Sequence, residues 1–144
     1  MTIGKMYGPA LSSLFAGSVN FAADTIKCSL HTSAYAPNQD THQFYSSVTA
    51  EVTGTAYTAG GVALTAKTVV YDAATNTLTL SCANPSWIGA TIAGVRYAVF
   101  RKDTGTSGTS PLICYVDFVT DQSVTTANLS IVIPGTGLVQ ATVA

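Results

Sequence analysis

Apolar and polar residues alternate along two long runs in the second half of the chain. The runs 90–101 and 112–119 are rich in valine, isoleucine, tyrosine and phenylalanine, which pack well on a pleated surface. The loop between them contains glycine, serine, threonine and proline, residues that favour turns. The pattern predicts two adjacent antiparallel strands at the centre of an all-β domain.

Further alternating stretches predict the strands that pair with this hairpin or pack on it. They are residues 26–31, 62–71, 77–82, 124–133 and 137–143. In the first stretch Ile26, Cys28 and Leu30 alternate with polar residues. We therefore expect one buried and one wet face there, with His31 pointing away from the core. The turn-rich segment 72–76 joins two strands, and the glycine-rich run 54–61 predicts a loop.

One short helix is predicted over residues 9–16. Pro9 suits its first turn and Gly17 suits its end. Leu11, Leu14 and Phe15 have helical spacing, so we expect them to dock one face of the helix on the domain. Seven or eight strands with one helix predict a two-sheet β-sandwich or jelly-roll-like fold. No repeat or linker divides residues 1–144, which predicts a single domain.

Charged residues are scarce. They make up 9% of the chain, while hydrophobic residues make up 47%; a typical soluble domain carries roughly 25% charged residues. Depletion of charge is typical of interface cores. The composition therefore favours a protein that assembles with neighbours, the alternative being a compact monomer with a neutral, threonine-rich surface.

The distribution of charges and cysteines excludes several classes. The net charge is −1 and the six basic residues are scattered, so direct nucleic-acid binding is not expected. No apolar run approaches the ~18 residues of a membrane helix. The N-terminus only weakly imitates a signal peptide, and we expect a cytosolic start. Three well-separated cysteines predict buried thiols in a reducing compartment and no zinc site.

The sequence contains a few candidate catalytic and metal-binding groups. Asp40, His42 and a serine could form a hydrolytic triad, but no GxSxG motif marks a nucleophile, so no enzyme is predicted. Three aspartates near the central hairpin, Asp103, Asp117 and Asp121, could share calcium, but their spacing lacks a calcium-loop pattern. No cofactor or metal is expected. Asp117 is expected to pair with Arg96, Arg101 or a tyrosine hydroxyl.

The chain contains seven tyrosines, which could contact either a partner protein or a sugar. Tyrosines in β proteins often line sheet edges and interfaces, whereas a sugar site would usually add clustered tryptophan, aspartate and asparagine. We therefore predict a contact surface that includes the N-terminal arm and aromatic residues. Its candidate residues are Met1, Thr2, Ile3, Met6, Tyr7, Tyr35, Tyr45, Tyr57 and Trp87.

Several short motifs extend over most of the chain. They are DTIK at 24–27, TSAYAP at 32–37, DTH at 40–42, EVTGTAYTAGG at 51–61 and RKDTGTSGTSPLICYVDF at 101–118. Together with the short helix before them, these motifs resemble small virion structural proteins of tailed bacteriophages, whose members are variously labelled decoration, cement, tail or fibre proteins. The segment 124–144 matches this pattern least.

This resemblance implies a non-enzymatic virion protein without a cofactor, assembled in the host cytoplasm. The favoured expectation is a capsid decoration or cement protein on the outer head surface, with the major capsid protein and copies of itself, as a dimer or trimer, as partners. A tail or neck component is the first alternative, mildly disfavoured because no long extra loop is present. A lectin-like fibre module is the second, disfavoured by the lack of clustered tryptophan and aspartate.

Overall fold

The computed structural model describes residues 3–143, and it is mostly β-structure with two antiparallel sheets and one α-helix. This confirms the predicted all-β class. In chain order the elements are β1 (Lys5–Met6), α1 (Gly8–Phe15), β2 (Ile26–His31), β3 (Gly54–Thr55), β4 (Val62–Ala63), β5 (Thr68–Asp72), β6 (Thr77–Ser81), β7 (Ser86–Lys102), β8 (Leu112–Ser130) and β9 (Val139–Thr142), with 3₁₀ turns at Tyr45–Ser47 and Ser107–Thr109.

The hairpin β7–β8 forms the centre of the larger sheet, as predicted. Strands follow the order β1-β8-β7-β2-β4, and β3 pairs with a free part of β7. The smaller sheet has the order β5-β6-β9. Residues of β5 and β6 pair without a break from Thr68 opposite Ser81 to Asp72 opposite Thr77.

The main core joins both sheets. It contains Cys28 of β2, Phe100 of β7 and Cys114 of β8 together with Leu80 and Val139 of the smaller sheet. A second buried cluster, which includes Tyr7, Tyr35 and Tyr115, contains residues of the larger sheet and of the segments beside it. Both faces of β2 are therefore covered, and five of its six residues are buried.

The helix lies within one residue of its predicted position. Of the three side chains predicted to dock it, Leu14 is half-buried against the main core, as expected, but the other two are not. Ala10 and Ser13 are buried, whereas Leu11 is 45% exposed and Phe15 is 90% exposed. The expectation that Leu11 and Phe15 pack inward is wrong. The small residues at positions i and i+3 let the helix backbone approach the domain, which turns the larger side chains outward.

Two predicted strand boundaries are also wrong. The predicted strand 62–71 is divided into β4 and β5, which belong to different sheets, and Ala66 between them has a φ of 49°.

The predicted strands 112–119 and 124–133 are instead one continuous β8, which ends at Ser130. Val119 has a φ of 66°, so the chain is bent there like a bulge and does not reverse. The predicted loop 54–61 begins with β3.

His31 is 1% exposed, so the prediction that it points to solvent is wrong. Strand β2 alternates as expected, but the polar face is covered by the segment that carries Thr49 and Glu51. The backbone of Thr32 and Val52 bonds with Ala50 and Leu30, which holds this segment beside β2.

Candidate interaction surface

The aromatic residues predicted to form an interface lie mostly inside the chain. Tyr7, Tyr35 and Trp87 are 0%, 1% and 2% exposed, so their assignment to an outer contact surface is wrong for the folded chain. Tyr45 and Tyr57 are half-buried, as are Ile3 and Met6. Met1 and Thr2 lie outside the described residues.

The buried tyrosines hold the segment 32–45 against the larger sheet. The hydroxyls of Tyr7 and Tyr35 are 2.8 Å apart, and the Tyr35 hydroxyl lies 3.0 Å from Nδ1 of His42. The Tyr35 ring also meets Tyr97 edge-on. Burial raises the pKa of both Tyr7 and Tyr35, so both phenols stay neutral. Their contacts stabilise the fold and leave no free phenol for a partner.

Ser29 and His31 form a buried polar pair that the sequence interpretation missed. The Ser29 hydroxyl lies 2.9 Å from Nε2 of His31, and Nδ1 of His31 lies 2.8 Å from the carbonyl oxygen of Thr49. Burial lowers the pKa of His31. The spacing i, i+2 in a strand places both side chains on one face, which is the signal that could have revealed the pair. A serine beside a histidine can act as a nucleophile, but here both side chains are at most 1% exposed.

Arg101 and Glu51 complete this buried network. The Arg101 guanidinium lies 3.6 Å from the centre of the Tyr45 ring and donates to Ser29 Oγ at 3.3 Å. Glu51 Oε1 accepts hydrogen bonds of 2.6 Å from the Tyr57 hydroxyl and from the Gly60 amide. Burial, and then the hydrogen bond to Glu51, raises the pKa of Tyr57. The network fastens the glycine-rich loop 54–61 onto β2.

The aspartates near the hairpin are paired with basic side chains, and Asp117 and Asp121 share Arg96, whose Nη1 lies 4.0 Å from Oδ1 of Asp121. Asp117 binds Arg96 at 2.6 Å, which confirms one of its predicted partners, and Asp103 binds Lys27 at 2.6 Å. The hydrogen bond from Lys27 holds the pKa of Asp103 below its usual value. Within residues 3–143 no group of three or more histidine, cysteine or acidic side chains is placed to hold a metal ion.

The three cysteines are buried and free, as predicted. Cys28 and Cys114 are 0% exposed, and Cys82 is 9% exposed. Burial raises the pKa of all three thiols, that of Cys82 to about 11. The thiolate is the reactive form, so we expect the three thiols to react slowly in the folded chain.

An apolar groove of about 520 Å³ lies between α1 and the smaller sheet. Leu11 and Phe15 line its helix side, and Val69, Leu78 and Ala141 line its sheet side. None of its described lining residues is charged. We call this feature the apolar groove. Large exposed apolar patches on soluble proteins mark interaction sites, and the sequence interpretation missed this one because it placed Leu11 and Phe15 inside.

Comparison with family models, with curated proteins and with solved structures found no match to this chain. Among the described residues, no helix is long and apolar enough to cross a membrane.

Proposed function

We propose that the chain is a non-enzymatic structural protein of a tailed-bacteriophage virion, which binds the outer surface of the icosahedral head and stabilises the expanded lattice of the major capsid protein. The observation that carries this proposal is the apolar groove, with Phe15 90% exposed at its margin. In a chain with 9% charged residues, such a surface suits contact with another protein. The sequence resemblance to virion structural proteins supports the same conclusion.

The position of the ionisable groups supports a structural role. His31 and Arg101 are buried in the chain, and Arg96 is paired with Asp117. These three groups, which could transfer protons or neutralise phosphates, are thus engaged within the fold. This favours binding through shape and apolar contact over catalysis or direct nucleic-acid binding.

The mechanism would be stabilisation by mass action. A protein that binds the expanded lattice but not its precursor or its broken form lowers the free energy of the expanded state. Many copies add modest contributions, so no single contact has to be strong. We propose that the two sheets pack as a sandwich or jelly-roll-like unit around their shared core, which would present the groove on a rigid support.

The decisive experiment measures location and copy number in purified virions. An antibody against the chain should label the head shell, and quantitative mass spectrometry should find hundreds of copies per particle. Heads made without the protein should release DNA at a lower temperature, and adding the purified chain should restore their stability. Labelling along the tail would support the tail alternative, and a few copies at fibre tips would support the host-binding alternative. Either result, or heads of unchanged stability, would refute the cementing role.

A further inference from the structure

Strand β5 has an open hydrogen-bonding edge. Among the described residues it pairs only with β6, and all five of its residues are exposed. Its sequence Thr-Val-Val-Tyr-Asp favours strands strongly. Natural edge strands are usually protected by proline, lysine, a bulge or short length. Strand β5 contains no proline or lysine, and its register with β6 is unbroken.

The other strand edges in the described part of the chain are short, irregular or partly covered. Strands β1, β3 and β4 are two residues long. The outer part of β8 is interrupted by Val119 and Thr126, which have φ values of 66° and 50°. Next to the start of β9, the Gly4 amide donates to the carbonyl oxygen of Leu138 at 2.8 Å. Among the strands of residues 3–143, only β5 therefore combines a regular edge with large exposed apolar side chains, since Val70 is 56% exposed and Tyr71 is 52% exposed.

We propose that β5 pairs antiparallel with β5 of a second copy of this chain around a two-fold axis, which joins two three-stranded sheets into one. This inference rests on the proposed function in one respect: it names a second copy of the chain as one partner of a protein that we propose to be an assembling structural protein. The register follows from the strand itself: only a pairing centred on Val70 uses all five residues of both strands. Val70 then faces Val70 of the second copy, and Asp72 faces Thr68 of the second copy, so no like charges meet.

The same register creates an apolar contact on the groove side of the sheet. Val69 and Tyr71 are opposite Leu80 and Leu78 of β6, so all four side chains share one face. In the paired sheet, Tyr71 lies opposite Val69 of the second copy on that face. Cross-strand pairs of an aromatic and a β-branched residue stabilise antiparallel sheets. The pairing therefore has both main-chain hydrogen bonds and a buried side-chain contact.

The symmetry also determines where the two apolar grooves lie. A two-fold axis perpendicular to the sheet keeps both copies the same way up, so both grooves open on the same side. Each groove would contact the lattice at low affinity, but two grooves on one rigid unit bind with avidity. The paired form is thus suited to bridge neighbouring lattice subunits.

The test uses the purified full chain and needs no capsid. Sedimentation velocity from about 1 µM to about 1 mM should show a reversible monomer–dimer equilibrium. Val70→Lys places two like charges directly opposite each other, so its dimer dissociation constant should rise at least about tenfold. Val70→Glu should behave in the same way. An equimolar mixture of the two variants should form a heterodimer, because lysine then faces glutamate.

Gln140→Lys provides the matched control. Gln140 is exposed, and the row Val70–Thr79–Gln140 runs across the sheet on one face, so this variant adds the same charge at the opposite edge. It should dimerise like the wild type. Hydrogen exchange gives a second measurement on the unaltered chain: amides of β5 should become more protected as concentration rises.

Each outcome decides between defined alternatives. A wild-type chain that stays monomeric to about 1 mM, or a Val70→Lys variant that dimerises normally, overturns the inference. Dissociation by Gln140→Lys but not by Val70→Lys would assign the contact to β9 and also overturn it. A β5-paired dimer that binds no heads would refute the proposed function and leave this inference standing. Head binding by a strictly monomeric chain would refute the β5 pairing and leave the proposed function standing.

Discussion

Replacing Phe15 should weaken binding without disturbing the fold. Its side chain is 90% exposed and borders the apolar groove. Glutamine has a helix propensity at least as good as that of phenylalanine. Phe15→Gln should therefore change the free energy of unfolding by no more than about 0.5 kcal/mol, as expected for a surface position.

The effect on head binding should be much larger. Burying a phenylalanine from an exposed position contributes about 1.5–3 kcal/mol, and nearly all of this is available because almost the whole ring is exposed in the free chain. Since 1.4 kcal/mol corresponds to a tenfold change in affinity, Phe15→Gln should weaken binding to head sites roughly 10- to 100-fold. Ile88→Thr is the matched control, because Ile88 is 68% exposed in β7 and does not line the groove.

Two measurements check this prediction. Urea unfolding can be followed by the fluorescence of Trp87, the single tryptophan, which is buried. Binding can be followed by co-sedimentation with heads that lack the protein. A loss of more than about 1 kcal/mol in unfolding free energy would show that Phe15 packs within the fold. Unchanged head binding, or equal loss of binding by Ile88→Thr, would show that the groove is not the contact surface.

Three further predictions concern the interior. Burial lowers the pKa of His31 from 6.5, so the unfolded chain takes up a proton at this residue before the folded chain does as pH falls. The free energy of unfolding should therefore decrease below about pH 6.5. Urea unfolding at different pH values should show this decrease, and His31→Gln should reduce it. The buried thiols should react slowly with a thiol reagent in the native chain and rapidly in denaturant, with Cys82 the fastest because it is the least buried; immediate native labelling of all three would contradict this. Gly61→Ala should destabilise the fold by about 1–3 kcal/mol more than Gly105→Ala, since both glycines have positive φ but only a Cβ at Gly61 would overlap the backbone of Cys28. Thermal unfolding of the two variants gives the comparison, and equal losses would mean that the overlap relaxes freely.

Local patterns predicted those elements that depend on neighbouring residues. The helix at 8–15 has Pro9 in its first turn, and the central hairpin has long apolar runs on either side of a turn-rich loop. Both elements were predictable because the intrinsic propensities of their residues and the spacing of their apolar residues indicate the same secondary structure. The division of 62–71 was not, because valine and threonine suit both β4 and β5, and the move from one sheet to the other depends on Ala66 in a left-handed conformation.

The interaction surface was harder to predict because alternation does not identify which segment covers a face. The alternation in strand β2 predicts one solvent-exposed face. In the structure, Thr49, Tyr45 and their neighbours cover that polar face and bury His31. The reverse happened in α1, where Ala10 makes the inner contact and Phe15 is left outside. In both cases the amphipathic pattern was visible, but its direction depended on packing between distant segments.

The arrangement of charges makes the surface still more neutral than the composition indicates. Glu51 and Arg101 are bound in the network beneath the glycine-rich loop. Among the described residues, four cation–carboxylate contacts use further charges, namely Lys27–Asp103, Arg96–Asp117, Arg96–Asp121 and Lys102–Asp24. Paired charges attract a distant partner weakly, and salt screens what remains. A partner that approaches the groove or the edge of β5 therefore meets short-range apolar contact and backbone hydrogen bonds, interactions that depend on shape and on repeated copies more than on electrostatic attraction.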